Sequence, residues 1–296
     1  MKSKAISLYI IFFFLCSFSS RAAFVLLPME AEGQQNHLKA YGITYWALDK
    51  SYKVSWLLNY RGGSFLLPDA PEIRKECQIR GVTFEVLSDA ATNAILEDIS
   101  SPSQNMETVV LEKAPKIAVY TPKGKQPWDD AVTMVLTYAE IPFTEVYDEE
   151  VLSDQLLLYD WLHLHHEDFT GQYGKFFGNY RSTPWYIQQK AEAEALAKKL
   201  GYTKVSEEKL AVAKKIRDFV IGGGFMFAMC SATDSFDIAL SAEGVDICEP
   251  MFDGDDSEAN YQSRIDYTST FAFKDYTLVR NPMVYEFSDI DTTEEH

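Results

Sequence analysis

The sequence predicts an α/β protein built on a mainly parallel sheet with helices on both faces. Three observations carry that expectation. Short apolar runs alternate with helical stretches along most of the chain. Punctuation falls at the changeovers, as where Pro71 opens a helix that Gly81 closes. Residues 221–237, IGGGFMFAMCSATDSFD, run from three glycines through a short apolar strand and a cysteine into a helix.

Residues 1–22 read as a targeting segment. Lys2 and Lys4 form a positive n-region, and residues 5–18 are apolar but too short for a comfortable membrane span. Ser20-Arg21-Ala22 places small residues before a cut after Ala22, and Cys16 lacks the small residues that precede a lipid-attachment site. The mature protein is expected to be exported, periplasmic or extracellular, with no transmembrane segment.

The rest of the chain, about 270 residues, suits one large domain or two small ones. Residues 24–28 form a strand. Residues 35–48 form a helix, with Leu38, Tyr41, Tyr45 and Leu48 at helical spacing. A strand at 52–59, a turn at Arg61-Gly62-Gly63-Ser64 and an apolar run at 65–67 follow. Then come a helix at 71–80, a strand at 82–87 and a helix at 90–99. Residues 100–108 are polar, contain a proline and make the linker. Residues 23–108 are thus the smaller N-terminal α/β part and residues 109–296 the second domain.

In that second part, strands are expected at 116–120, 143–147, 159–164 and 225–229. Helices are expected at 129–140, 187–200, 207–220 and from the cysteine to about residue 242. Residues 171–186 are aromatic-rich and irregular, as in a loop or lid. Ligands of parallel sheets gather at the carboxyl ends of the strands. Cys230 and the histidines after residue 162 both fall at such ends.

The formal charge of −17 becomes −20 once Lys2, Lys4 and Arg21 leave with the targeting segment. Nucleic-acid binding needs a basic surface and is excluded as an expectation. Residues 253–258 and 289–295 read as solvated acidic loops, and the calcium pattern at Asp253-Gly254-Asp255-Asp256 is weak. Cys77, Cys230 and Cys248 remain after cleavage, so at least one thiol is free in the monomer. A bridge between Cys230 and Cys248 would remove Cys230 as a nucleophile.

At Cys230 the following helix points its N-terminus at the turn, which favours a thiolate or a bound anion. Ser231 is small enough to let the turn pass close to the sheet, and Asp234 stands where a capping residue would. Both are candidate ligand-binding positions. A cysteine that merely packs at the end of a core strand is the competing reading. The segment His163-Leu164-His165-His166-Glu167-Asp168 offers imidazoles to a nearby thiol and a carboxylate to orient one of them. Strand alternation puts His163 and His165 on one face and His166 on the other or in the turn. Metal binding by His163 and His165 and a purely structural role are the alternatives. Arg61 beside its glycine turn could clamp a carboxylate or phosphate, or simply form a tight turn. Thr121 to Lys125 follows a strand but lacks the spacing of a Walker loop. The rings Tyr173, Phe176, Phe177, Tyr180, Trp185 and Tyr186 either cap a pocket or pack.

The stretch IRDFVIGGGFMFAMCSA resembles the elbow region of the class I glutamine amidotransferase-like superfamily, where a helix, a glycine turn, a strand and a G-x-C-x-G elbow occur in this order. YDWLHLHHEDFTG stands where those proteins have an apolar strand ending in a glycine pair. The resemblance spans roughly residues 116–249 and implies a flavodoxin-like sheet with Cys230 at the nucleophile position. Ala228 and Ala232 replace the elbow glycines, histidines replace the glycine pair, and only His296 follows Cys230. The whole chain is also similar to an exported bacterial family often labelled asparagine synthetase B. The expected mature end has no cysteine for a class II amidotransferase, and there is no pyrophosphate loop for ATP. The expected function is a Cys-dependent hydrolase or transferase acting on a small amide or ester, with no cofactor. Cys230 is the nucleophile, His165 or His166 the base, and Glu167 or Asp168 the orienting acid. The alternatives are a non-catalytic module that binds a ligand or partner, and a metal-dependent hydrolase built on His163 and His165.

Overall fold

The structure, a computed structural model, describes residues 22–122 and 131–291. The expected targeting segment up to Arg21, Lys123, Lys125, the first residues of the helix expected at 129–140, and the end of the acidic tail with His296 lie outside the described residues. Among the described residues, no helix is long and apolar enough to cross a membrane. The chain is a mixed α/β fold with two sheets and flanking helices. It divides into two compact units, residues 1–114 with Tyr138–Ile141, and residues 115–137 with 142–296.

The first unit holds β1 (Ala22–Leu27), α1 (His37–Asp49), β2 (Val54–Leu58), β3 (Phe65–Pro68), α2 (Pro71–Arg80), β4 (Glu85–Ser88), α3 (Asp89–Ile99) and β5 (Glu107–Leu111). Its strand order is β4-β1-β3-β2-β5, and every pairing is antiparallel. This corrects the expectation of a mainly parallel sheet for this half. Only a tight turn separates β2 from β3, and a tight turn can join only antiparallel neighbours. β5 occupies residues that read as the end of a linker. Its five residues pair one for one with all of β2.

Local chemistry sets the helices. Asn36 accepts from the Lys39 amide at 3.1 Å to open α1, and Ser88 accepts from the Ala91 amide at 3.2 Å to open α3. Pro71 takes the first turn of α2, and Gly81 ends it in the left-handed conformation. Successive residues of β1 serve opposite faces. Val25 and Leu27 pack with α1 and α2, whereas Leu26 packs with Ile99 of α3.

The turn after β2 is held at positive φ by Arg61, Gly62 and Gly63. A Cβ on Gly62 would lie 2.5 Å from the Met29 carbonyl. Gly62→Ala is therefore expected to cost the first unit about 1–3 kcal/mol, seen as a lower urea midpoint than in the native chain. An unchanged midpoint would show that the turn yields.

The second unit holds β6 (Ile117–Tyr120), α4 (Ala131–Ala139), whose last residues are counted with the first unit, and β7 (Phe143–Val146). α5 (Asp148–Leu152), β8 (Trp161–Leu164), α6 (Phe177–Tyr180), α7 (Pro184–Lys199) and α8 (Val205–Ile221) follow. β9 (Phe225–Ala228), α9 (Ala232–Ser241) and α10 (Pro250–Asp253) come last. The order is β7-β6-β8-β9, and all pairs are parallel. Leu162 and Leu164 of β8 pack on Val212 and Ile216 of α8 and on Phe236 of α9. The stretch expected as an irregular lid at 171–186 contains α6 and the first turn of α7, where Pro184 again opens the helix. β9 is an edge strand, with Phe225 and Phe227 about half exposed.

Candidate functional site

Parallel pairing brings the ends of β8 and β9 side by side, with Leu164 opposite Ala228. The alignment continues past the strands. The Met229 amide donates to the Leu164 carbonyl and the Ala232 amide to the His165 carbonyl, both at 3.2 Å. Between these two bonds sits Cys230, at φ +54°. That left-handed conformation is uncommon for a residue with a side chain. Its thiol is exposed and unbridged. The Cys230 carbonyl accepts from the amide of Thr233 at 3.0 Å and from its hydroxyl at 2.6 Å, which closes the turn into α9.

Ser231 and Asp234 lie in this turn. Ser231 makes no side-chain capping bond; its carbonyl accepts from the Ser235 amide at 3.1 Å. Asp234 is 4 % exposed. Its Oδ1 accepts from the Ser235 amide at 2.8 Å, and its Oδ2 has no hydrogen-bond partner. Burial pushes this carboxyl up to about 7, with Asp291 and Asp168 adding to the rise and the Ser235 amide opposing it.

The first turn of α9 is fastened to the loop after β8. The Ser235 hydroxyl donates to the Glu167 carbonyl at 2.9 Å and accepts from the Phe169 amide at 3.4 Å. On that loop the Nδ1 atoms of His165 and His166 are 3.2 Å apart. Glu167 Oε2 accepts from the His165 amide at 2.8 Å. Asp168 takes the Thr170 amide and hydroxyl, each at 2.6 Å, on one oxygen and the Gly174 amide at 3.0 Å on the other. Both acids thus brace the backbone that carries the histidine pair.

His163 is buried in β8 and stacks on Phe227 at 5.3 Å. Among the described residues, the group at metal-ligand spacing is Asp246, Cys248 and Asp253, and it contains no histidine. The Lys204 ammonium lies 2.6 Å from Asp246 and 3.0 Å from Asp253. Cys248 is buried and donates to the Thr170 carbonyl, so it and Cys230 are separate thiols. Arg61 belongs to the first unit. Its guanidinium grips Glu30 at 2.5 Å and Glu85 at 2.7 Å, and these two partners raise its pKa. In this arrangement its fork is already filled by the fold's own carboxylates.

A cavity of about 320 Å³ opens at the carboxyl ends of β6, β7 and β8. His166, Glu167 and Asp168 line it from the loop, and Trp185, Gln188 and Glu192 line it from α7. Cys230 is not in the wall. Tyr285 joins the two places: it stacks at 5.2 Å on Phe176, a cavity ring, and burial followed by the Cys230 charge raises its phenol pKa.

No family model, curated protein or solved structure matches this chain.

Beside the cavity lies a cluster that the sequence reading missed. Lys209 is 6 % exposed, and its ammonium contacts Asp148 at 2.7 and 2.8 Å, Tyr120 at 3.0 Å and Tyr147 at 3.2 Å. Tyr120 donates to Asp148. The neighbouring Glu208 is also buried, with one oxygen unpartnered. A signal was present. Glu208 and Lys209 share a helical stripe with Val205, Val212, Ala213 and Ile216, and charges on an apolar stripe imply a buried pair.

Proposed function

We propose that this protein is a Cys-dependent hydrolase or transferase for a small amide or ester. Its site lies at the carboxyl ends of β8 and β9, on a flavodoxin-like sheet of the class I glutamine amidotransferase-like kind. The observation that carries the reading is Cys230, an exposed free thiol at φ +54° between a parallel strand and a helix. Strain of this sort costs about 1–3 kcal/mol and clusters at functional sites, and a strained strand-to-helix turn is the geometry of a nucleophile elbow. The strand order β7-β6-β8-β9 runs 2-1-3-4 within its own sheet, which supports the flavodoxin-like topology. The proposed compartment is outside the cytoplasm.

In the proposed step, an imidazole of the His165–His166 pair takes the proton from Cys230 Sγ. The thiolate attacks the carbonyl carbon, the amine or alcohol leaves with a proton, and water then splits the thioester. The two Nδ1 atoms face each other, so an Nε2 is the proposed base. Glu167 and Asp168 position this pair through the backbone. A second reading, a binding module on the same fold, is favoured by one observation: the cavity takes in His166, Glu167 and Asp168 but not Cys230.

Iodoacetamide tests the dyad. Cys230→Ala is expected to remove the fast-reacting thiol and leave the fold intact. His165→Ala or His166→Ala should move the alkylation profile toward the free-thiol value of about 8.5 and slow the reaction about tenfold at neutral pH. If neither histidine variant moves that profile, the dyad is wrong and the binding module stands.

A further inference from the structure

The walls of the cavity beside His166 have a one-sided chemistry. They present the carboxylates of Glu149, Glu150, Glu167, Asp168 and Glu192. They also present the amide of Gln189, whose oxygen is buried without a hydrogen-bond partner. A buried acceptor left unsatisfied asks for a donor. The lysine in the wall, Lys209, has its three protons directed at Asp148, Tyr120 and Tyr147, and its charge is answered by Asp148. Lys199 pairs with Glu149 at 2.6 Å, which still leaves the carboxylates in excess. Asp168 accepts only from uncharged amides and a hydroxyl, so it keeps its full charge.

The aromatic part of the wall points the same way. Phe176 and Trp185 meet edge to face at 5.7 Å, beside Tyr147 and Tyr173. The faces of such rings attract cations. The fold already uses that attraction next to the cavity: Lys209 lies 4.4 Å from the centre of the Tyr147 ring, and Lys190 lies 5.3 Å from that of Tyr173. An anion would meet carboxylates at close range in a partly desolvated space. A neutral molecule would gain the rings alone.

We propose that this cavity binds an organic cation, a primary ammonium or guanidinium compound with an apolar body that lies against Phe176 and Trp185. A volume of about 320 Å³ suits a ligand at the small end of the usual range. The inference stands on the cavity wall and goes beyond the chemistry proposed for Cys230.

Three probes of one shape test it: phenethylamine, 2-phenylethanol and 3-phenylpropionate, titrated into the full chain at low salt with Trp fluorescence or calorimetry as readout. Phenethylamine is expected to bind about tenfold more tightly than 2-phenylethanol, and 3-phenylpropionate more weakly than either. Glu192 sits on the exposed side of α7, so Glu192→Gln should fold normally. It should weaken phenethylamine about three- to tenfold and leave 2-phenylethanol unchanged. Cys230→Ala should bind phenethylamine as the native chain does, which separates this proposal from the fate of the thiol chemistry. Equal affinity for the amine and the alcohol, a preference for the carboxylate, no amine binding in the millimolar range, or no effect of Glu192→Gln would each overturn it.

Discussion

Lys209→Met is expected to destabilise the second unit by about 3–5 kcal/mol. Lys209 and Asp148 are both almost wholly buried, and the ammonium touches both carboxylate oxygens. Methionine fills much of the same space, but it leaves the Asp148 charge without a countercharge in the interior. The phenol of Tyr120 still donates to that carboxylate, and one neutral donor does not replace an ion. Removing the stranded charge as well should undo much of the harm. Lys209→Met combined with Asp148→Asn is therefore expected to recover at least half of the loss. Urea unfolding of the single and double variants measures both quantities. A single variant within about 0.5 kcal/mol of native would mean that water reaches the pair.

Stability is expected to fall by several kcal/mol between about pH 4 and pH 8, the reverse of the usual behaviour of carboxylates. Burial holds Asp234 at about 7. Burial also pushes Glu208 up to about 8, opposed by Lys209 and aided by Asp148. Both folded values lie above those of the unfolded chain, so the native state binds more protons across this window. The associated stability is fully present below about pH 4 and is lost as pH rises through 7 and 8. Each group contributes on the order of 2–4 kcal/mol to that fall. Lys175 acts in the next window with the opposite sign. Burial lowers it to about 8, with Asp168 opposing, so stability rises again from about pH 8 toward 10. Denaturant midpoints against pH should trace a minimum near pH 8. Asp234→Asn and Glu208→Gln should each flatten the acid side; a profile unchanged by both variants would refute the assignment.

Much of the local structure was legible. α2 runs from Pro71 to Arg80 as expected, because a proline opens it and a glycine closes it, and both act within one turn of the chain. The strand, turn and helix around Cys230 were legible for the same reason. The direction of the first sheet was not, since alternating strands and helices occur with antiparallel as well as parallel pairing. β5 was missed because its pairing with β2 comes from tertiary structure, whereas the sequence before it reads as a polar linker. The turn at Arg61 was seen, but its partners Glu30 and Glu85 lie 31 and 24 residues away, beyond any local pattern. At the candidate site, the sequence pointed to Cys230 and the histidines through their position at strand ends. It did not reveal that Glu167 and Asp168 hold backbone amides, nor that Asp234 keeps an oxygen without a partner.

The order of the strands along the chain bears on biogenesis. All five strands of the first sheet lie within residues 22–111, before β6 begins at Ile117. During synthesis they emerge first and can pair while the second unit is still incomplete. The second sheet has a longer wait, because β9 arrives about 60 residues after its neighbour β8. A nascent chain that stops before Phe225 leaves β8 with an open edge and with Leu162 and Leu164 lacking their cover from α9. Open edges and bare apolar strands are what chaperones capture and what aggregates recruit. The last strand made, carrying the half-exposed Phe225 and Phe227, is thus also the one that caps β8.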